Sequence, residues 1–162
     1  PVFHFSAAIA AAVRERAPRL RLIQLMTIGY DRLLQERLPA NVQLANAGSS
    51  LSPIVAEHAL ALMLGLGRRV QEGLANQAQH KWDGSYNARM SSLDGKLLLI
   101  VGYGAIGREI ALRARAFGSR IVGLSRRAAA DDAADEVRPA GELDAMLPQA
   151  DRKSTRLNSS HT

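Results

Sequence analysis

The chain has 162 residues, enough for one ordinary domain or parts of two, with 47% hydrophobic and 22% charged residues. It contains no cysteine, which excludes disulfide frameworks and thiolate metal sites. The formal charge is +6, but without residues 151–162 the count falls to 18 basic and 14 acidic residues. The remaining bases are scattered singly or in pairs with few aromatic residues between them, so nucleic acid is not expected as a partner.

In chain order, Ala7 to Val13 is apolar but has no basic leader, and the chain opens on Pro1, as an internal fragment would rather than a signal peptide. Leu20 to Leu25 suits a buried strand, Gly29 a turn, Asp31 to Leu38 a short helix broken by Pro39, and Val42 to Ala45 a second strand. Strand, helix and strand in that order imply parallel pairing. Ser52 and Pro53 then read as a helix start, with apolar residues at helical spacing to about Gln79: Ala56, Leu60, Met63, Leu64, Gly67, Val70 and Leu74. Gly65, Gly67 and Gly73 weaken that helix; either something packs closely against them or they are tolerated imperfections. Glu57 and His58 interrupt the apolar run of residues 54–67, which is shorter than the ~20 residues a spanning helix needs, so no membrane partner is expected.

Residues 80–93 are polar and turn-rich and carry the single Trp82. The next unit is the most informative. Leu97 to Val101 is an apolar strand, Gly102-Tyr103-Gly104-Ala105-Ile106-Gly107 a glycine turn, and Ile106 to Phe117 a helix with Ile106, Ile110, Ala114 and Phe117 on one face. Gly118 ends the helix, and Arg120 to Leu124 is the next strand. A lone GxGxxG is weak; one that leaves a strand, opens a helix and sits in a βαβ unit of about thirty residues predicts a dinucleotide pyrophosphate site. Gly102 allows the tight turn, Gly104 leaves the backbone open to the pyrophosphate, Gly107 lets helix and strand approach, and the helix N-terminus offers amides to the phosphates.

Cofactor choice rests on the end of the following strand. An NAD-preferring site places a carboxylate there to hold the ribose hydroxyls. Ser125, Arg126 and Arg127 stand there instead, and a hydroxyl with guanidinium groups suits a 2′-phosphate, so NADP is expected in preference to NAD. At the far end, residues 151–161 (DRKSTRLNSSH) lack apolar periodicity and read as a translated sequencing adapter; residues 152–162 are therefore expected to be non-native and to stand outside the fold.

With these residues placed, the chain resembles the D-isomer-specific 2-hydroxyacid dehydrogenases. The stretches that carry the resemblance are Ile28–Asp31, Val55–Leu62, Arg68-Arg69, Lys81-Trp82, Leu93–Lys96 leading into VGYGAIGREIA, Ala116–Gly118 and Leu143–Asp151. It implies an α/β protein: residues 1–51 as the end of the first segment of a flavodoxin-like substrate domain, and residues 52–151 as the N-terminal part of a Rossmann-type, doubly wound parallel sheet. It also implies pyrophosphate contacts at Ala105 and Ile106, a ribose contact at Ser125, and a cytoplasmic homodimer with the helix from Ser52 at its interface.

The implied reaction moves hydride between the nicotinamide and C2 of a small 2-oxo or 2-hydroxy acid of the glyoxylate or hydroxypyruvate kind. An arginine, a glutamate and a histidine serve it in the family. Their positions lie beyond Asp151, so no catalytic residue is expected here and the chain alone is expected to be inactive. Adjacent Glu57 and His58 are no substitute, because neighbours on a helix point about 100° apart. The rival expectation is an NAD(H)-sensing protein on the same scaffold, like the C-terminal binding protein corepressors; fold alone does not separate the two. No metal-ligand cluster stands out.

Overall fold

The computed structural model describes residues 7–36, 38–150 and 152–155. His4, Arg37, Asp151 and His161 lie outside the described residues. Two compact units meet in sequence between Leu51 and Ser52.

The first unit contains helix α1 (Ala7–Arg16), strand β1 (Leu22–Gln24), helix α2 (Asp31–Leu34) and strand β2 (Gln43–Ala45). The alanine-rich stretch considered only as a possible leader is thus a helix, as alanine's propensity favours. β1 and β2 pair in parallel, with Ile23 opposite Leu44. The helix expected to reach Leu38 stops at Leu34, and Gln35 and Glu36 form a turn ahead of Pro39.

The second unit is a four-stranded parallel sheet with helices on both faces. Its elements are α3 (Ser52–Gly67), α4 (Val70–Ala78), β3 (Leu97–Val101), α5 (Ala105–Arg115), β4 (Arg120–Ser125), β5 (Glu136–Pro139), α6 (Leu143–Met146) and β6 (Arg152–Thr155). The spatial order β5-β4-β3-β6 is the order of one doubly wound half-sheet, with β3 at the point where the winding reverses. β3 reads as an unbroken apolar run because it is covered on both sides. Leu98 and Ile100 pack with Ile121 against Ala56 and Leu60 of α3 and Ile106, Ile110 and Ala114 of α5. Leu99 packs on the opposite face with Val122, Leu124 and Met146.

Four differences from the expectations have physical causes. The helix from Ser52 is two helices: Arg69 takes φ 55°, a left-handed conformation that ends α3, and Arg69 and Arg89 both pair with Glu72 to hold the break. Val70 and Leu74 therefore leave the buried face and are exposed. Phe117 lies past the end of α5 and is also exposed. Strand β5 went unforeseen because Glu-Val-Arg-Pro has no apolar run; as an edge strand it needs none, and Arg138 pairs along it with Glu136 and onward with Glu142. Finally, residues 152–155, expected outside the fold, form β6 alongside β3, with Leu99 opposite Lys153. The main-chain donors and acceptors on the open edge of β3 can pair with any extended segment, whatever its side chains.

Candidate dinucleotide site

β3 runs directly into the glycine turn. Gly102 takes φ +92°, where a side chain would be strained. Its N–H donates to Leu124 O at 3.0 Å, and the N–H of Tyr103 donates to the same carbonyl at 2.8 Å. The turn is thus hooked over the end of β4, and α5 begins at Ala105. Gly104 precedes the helix and makes no side-chain cap, and the amides of Ala105 and Ile106 have no acceptor among the described residues.

Gly104 and Gly107 do different work. Nothing lies within 4 Å of the place a Cβ would take on Gly104, so the backbone there is open to a ligand. A Cβ on Gly107 would stand 3.0 Å from Gly102 O and 3.1 Å from Ile100 Cγ2, so this glycine is what lets α5 close on β3. The cradle fits a dinucleotide diphosphate: an approach free of side chain at Gly104, bare amides at Ala105 and Ile106, and the positive end of an 11-residue helix.

Ser125 closes β4 and is half-buried, its Oγ accepting the Arg127 N–H at 3.3 Å. Arg126 and Arg127 follow in an exposed bend, and neither is paired with a carboxylate among the described residues. The β4–β5 loop that starts with them returns to α5. Arg108, the residue after Gly107, reaches Asp131 from Nε at 3.0 Å and Asp132 from Nη2 at 2.7 Å. The Asp131 carboxyl is held below its usual range by the Ala133 amide first and then by Arg108.

The Tyr103 ring lies against Gly123, where a Cβ would fall 2.4 Å from Cδ2. Its hydroxyl is shut off from solvent and lies near the Asp131 carboxylate. Burial, and then the charge of Asp131, push the phenol above its ordinary range. None of these contacts was expected from sequence. A glycine inside an apolar strand, as in Ile-Val-Gly-Leu, is the signal that could have pointed to Tyr103; nothing local marks Arg108 as the partner of residues more than twenty positions away.

Among the described residues the other titratable groups assemble no second acid–base pair or metal site. Glu57 turns to Arg113 at 3.5 Å, and both Glu57 and His58 are exposed. His80 is an exposed turn residue at φ 51° beside a shallow cleft lined by Gly73, Asn76, Trp82 and Tyr86, none of which belongs to the glycine turn. The Tyr86 hydroxyl there lies 3.2 Å from where a Cβ on Gly73 would stand, whereas Gly65 faces open space. Among the described residues no group of three acidic, histidine or cysteine side chains could hold a metal, and no helix is long and apolar enough to cross a membrane.

Comparison with known proteins agrees with this geometry. Residues 60–160 match the family model described as the NAD binding domain of D-isomer specific 2-hydroxyacid dehydrogenase. The chain is 34% identical over 118 residues to a glyoxylate reductase of Korarchaeum cryptofilum, an alignment covering 70% of this chain and 36% of that protein. The chain thus spans little more than a third of the length of that relative. Among solved structures it resembles a D-isomer specific 2-hydroxyacid dehydrogenase family protein from Aeromonas salmonicida, with a TM-score of 0.83, 30% identity, and coverage of 95% of this chain and 49% of the other. It also resembles an NADPH-dependent glyoxylate/hydroxypyruvate reductase from Sinorhizobium meliloti in complex with NADP and sulfate, with a TM-score of 0.74, 25% identity, and coverage of 91% and 46%. Fold, glycine turn and matched residues together establish that the chain belongs to the D-isomer specific 2-hydroxyacid dehydrogenases and carries NAD-binding-domain sequence of that family.

Proposed function

We propose that this chain supplies the dinucleotide-holding part of an oxidoreductase that interconverts a small 2-oxo acid, of the glyoxylate or hydroxypyruvate kind, with its 2-hydroxy acid, using NADP(H) in preference to NAD(H). The observation that carries the proposal is the open backbone at Gly104 beside the free amides of Ala105 and Ile106. Gly102, Gly104, Ala105, Ile106 and Gly107 receive the pyrophosphate, and Ser125, Arg126 and Arg127 receive the adenosine ribose and its 2′-phosphate. When bound, the nicotinamide supplies or accepts the hydride.

The preference for NADP follows from charge. No carboxylate stands at the end of β4 to repel a 2′-phosphate, and two guanidinium groups there are exposed with no carboxylate partner among the described residues. The similar Sinorhizobium reductase is itself NADPH-dependent. The substrate class is supported by the glyoxylate reductase of Korarchaeum and a hydroxypyruvate reductase of Thermotoga maritima, 31% identical over 115 residues. The residues of this chain hold and orient the dinucleotide, and Glu57 is turned to Arg113 rather than to a histidine. Turnover is expected to use the arginine, glutamate and histidine that serve the reaction in the family. The exposed apolar residues Ile54, Leu62 and Leu66 of α3 and Val70 and Leu74 of α4 suit a homodimer contact.

The test is a comparison of the dissociation constants of NADPH and NADH on the full-length protein. Tighter binding of NADPH supports the cofactor assignment, and tighter binding of NADH overturns it. Absence of saturable binding by either overturns the enzyme assignment as well.

A further inference from the structure

The loop from Arg126 to Asp135 contains two arginines and three aspartates, so by itself it is net negative and a poor receiver of a phosphate dianion. Asp135 is engaged at the base of the sheet, accepting the Ile121 N–H, and lies at the far end of the loop from the arginines. Asp131 and Asp132 come four and five residues after Arg127, and both are bridged by one side chain from another element, Arg108 of α5. Arg115, two turns further along α5, donates to the main-chain carbonyl of Asp132 at 2.9 Å and holds the same segment. Asp131 also accepts the Ala133 N–H at 2.8 Å, which fixes its carboxylate in the position Arg108 meets.

We propose that Arg108 is a specificity-determining positioning residue. By bridging Asp131 and Asp132 it offsets one of the two negative charges nearest Arg126 and Arg127 along the loop, so that loop and Arg108 together are no longer net negative, and it leaves those arginines free to select a dinucleotide bearing a 2′-phosphate. The planar fork presents Nε to one carboxylate and Nη2 to the other in a fixed geometry, which the single ammonium of a lysine would not reproduce. Being next to Gly107, Arg108 ties the helix that faces the pyrophosphate to the loop that reads the ribose. Asp132 is 85% exposed, so this bridge adds little to stability; its consequence is the field felt by a charged ligand.

The inference rests on the dinucleotide assignment, and the experiment separates the two. Dissociation constants of NADPH and NADH are measured on the full-length protein and on Arg108→Gln. The substitution is expected to weaken NADPH about tenfold while NADH stays within about twofold, because only NADPH places a dianion near the uncovered aspartates. Adding Asp131→Asn and Asp132→Asn to Arg108→Gln, which keeps the hydrogen-bonding shape and removes the charge, is expected to bring NADPH back to within about threefold of the native value. Equal weakening of both nucleotides, no weakening, or no recovery in the triple variant overturns the role of Arg108.

If Arg108→Gln fails to fold, Asp131→Asn/Asp132→Asn in the otherwise native chain decides. It is expected to raise the preference for NADPH about threefold, and an unchanged or lower preference overturns the proposal. If the native protein binds neither nucleotide, the dinucleotide assignment falls and takes this inference with it. If it binds NADPH and the ratio does not respond, only the inference falls.

Discussion

Gly104 and Gly107 stand three residues apart in one motif, yet the structure assigns them opposite sensitivities. Gly104→Ala adds a methyl where nothing lies within 4 Å, on a backbone that is already extended, so folding is expected to be unaffected. The methyl would stand in the space proposed for the diphosphate, and dinucleotide affinity is expected to fall by about tenfold or more. Gly107→Ala forces a methyl against a carbonyl oxygen and a buried isoleucine, and is expected to cost about 1–3 kcal/mol of stability. Thermal melts and nucleotide titrations on the two variants check this; a large loss of melting temperature in Gly104→Ala would contradict it.

Asp131 supplies a pH test at the same scale. Its carboxyl is depressed, chiefly by the Ala133 amide and then by Arg108, so its contribution is present above the ordinary carboxylate pKa near ~4. That contribution is lost as pH falls through the depressed folded value. The melting temperatures of the native protein and Asp131→Asn should therefore differ at neutral pH and converge in acid; a constant gap would show that the charge is not what matters. The glycines were legible in sequence because each serves the backbone, and the backbone path is written locally. The bridge from Arg108 to Asp131 and Asp132 was not, because it depends on β4 returning the chain beside α5.

At the level of elements, β3 carries the unit. Its five residues were readable because a central parallel strand is apolar on both faces, and Leu98, Leu99 and Ile100 are all buried. Leu98→Ala should leave a cavity against α3 and α5 and cost about 2–5 kcal/mol, measurable by chemical denaturation. The start of α3 was readable from Ser52-Pro53. Its end was not, since Gly67-Arg68-Arg69 continues a helical pattern, and only the pairing of Arg69 and Arg89 with Glu72 places a left-handed residue there. β5 and β6 escaped notice for a related reason. An edge strand, or one recruited by an open neighbour, is defined by main-chain pairing rather than by apolar side chains.

For the whole molecule, the exposed apolar residues of α3 and α4 predict association. Leu66 is 67% exposed and Leu62 54%, two leucines one turn apart on the same face of α3. Leu62→Glu/Leu66→Glu in the full-length protein is expected to shift a homodimer to monomer in sedimentation experiments without abolishing dinucleotide binding, because neither residue belongs to the glycine turn. A native protein that sediments as a monomer would remove the proposed contact.

The amino-acid sequence by itself determined the α/β class, the strand–turn–helix unit from Leu97 to Arg115, the order of the glycines and the family. Each of these is expressed in residues close together along the chain, as periodicity, turn chemistry or a motif. Tertiary structure alone decided which glycine is open and which is packed, where α3 breaks, how four strands align, and that Arg108 reaches Asp131 and Asp132. Those outcomes depend on distances between residues tens of positions apart, set by sheet register and helix packing, and a linear pattern holds no record of them.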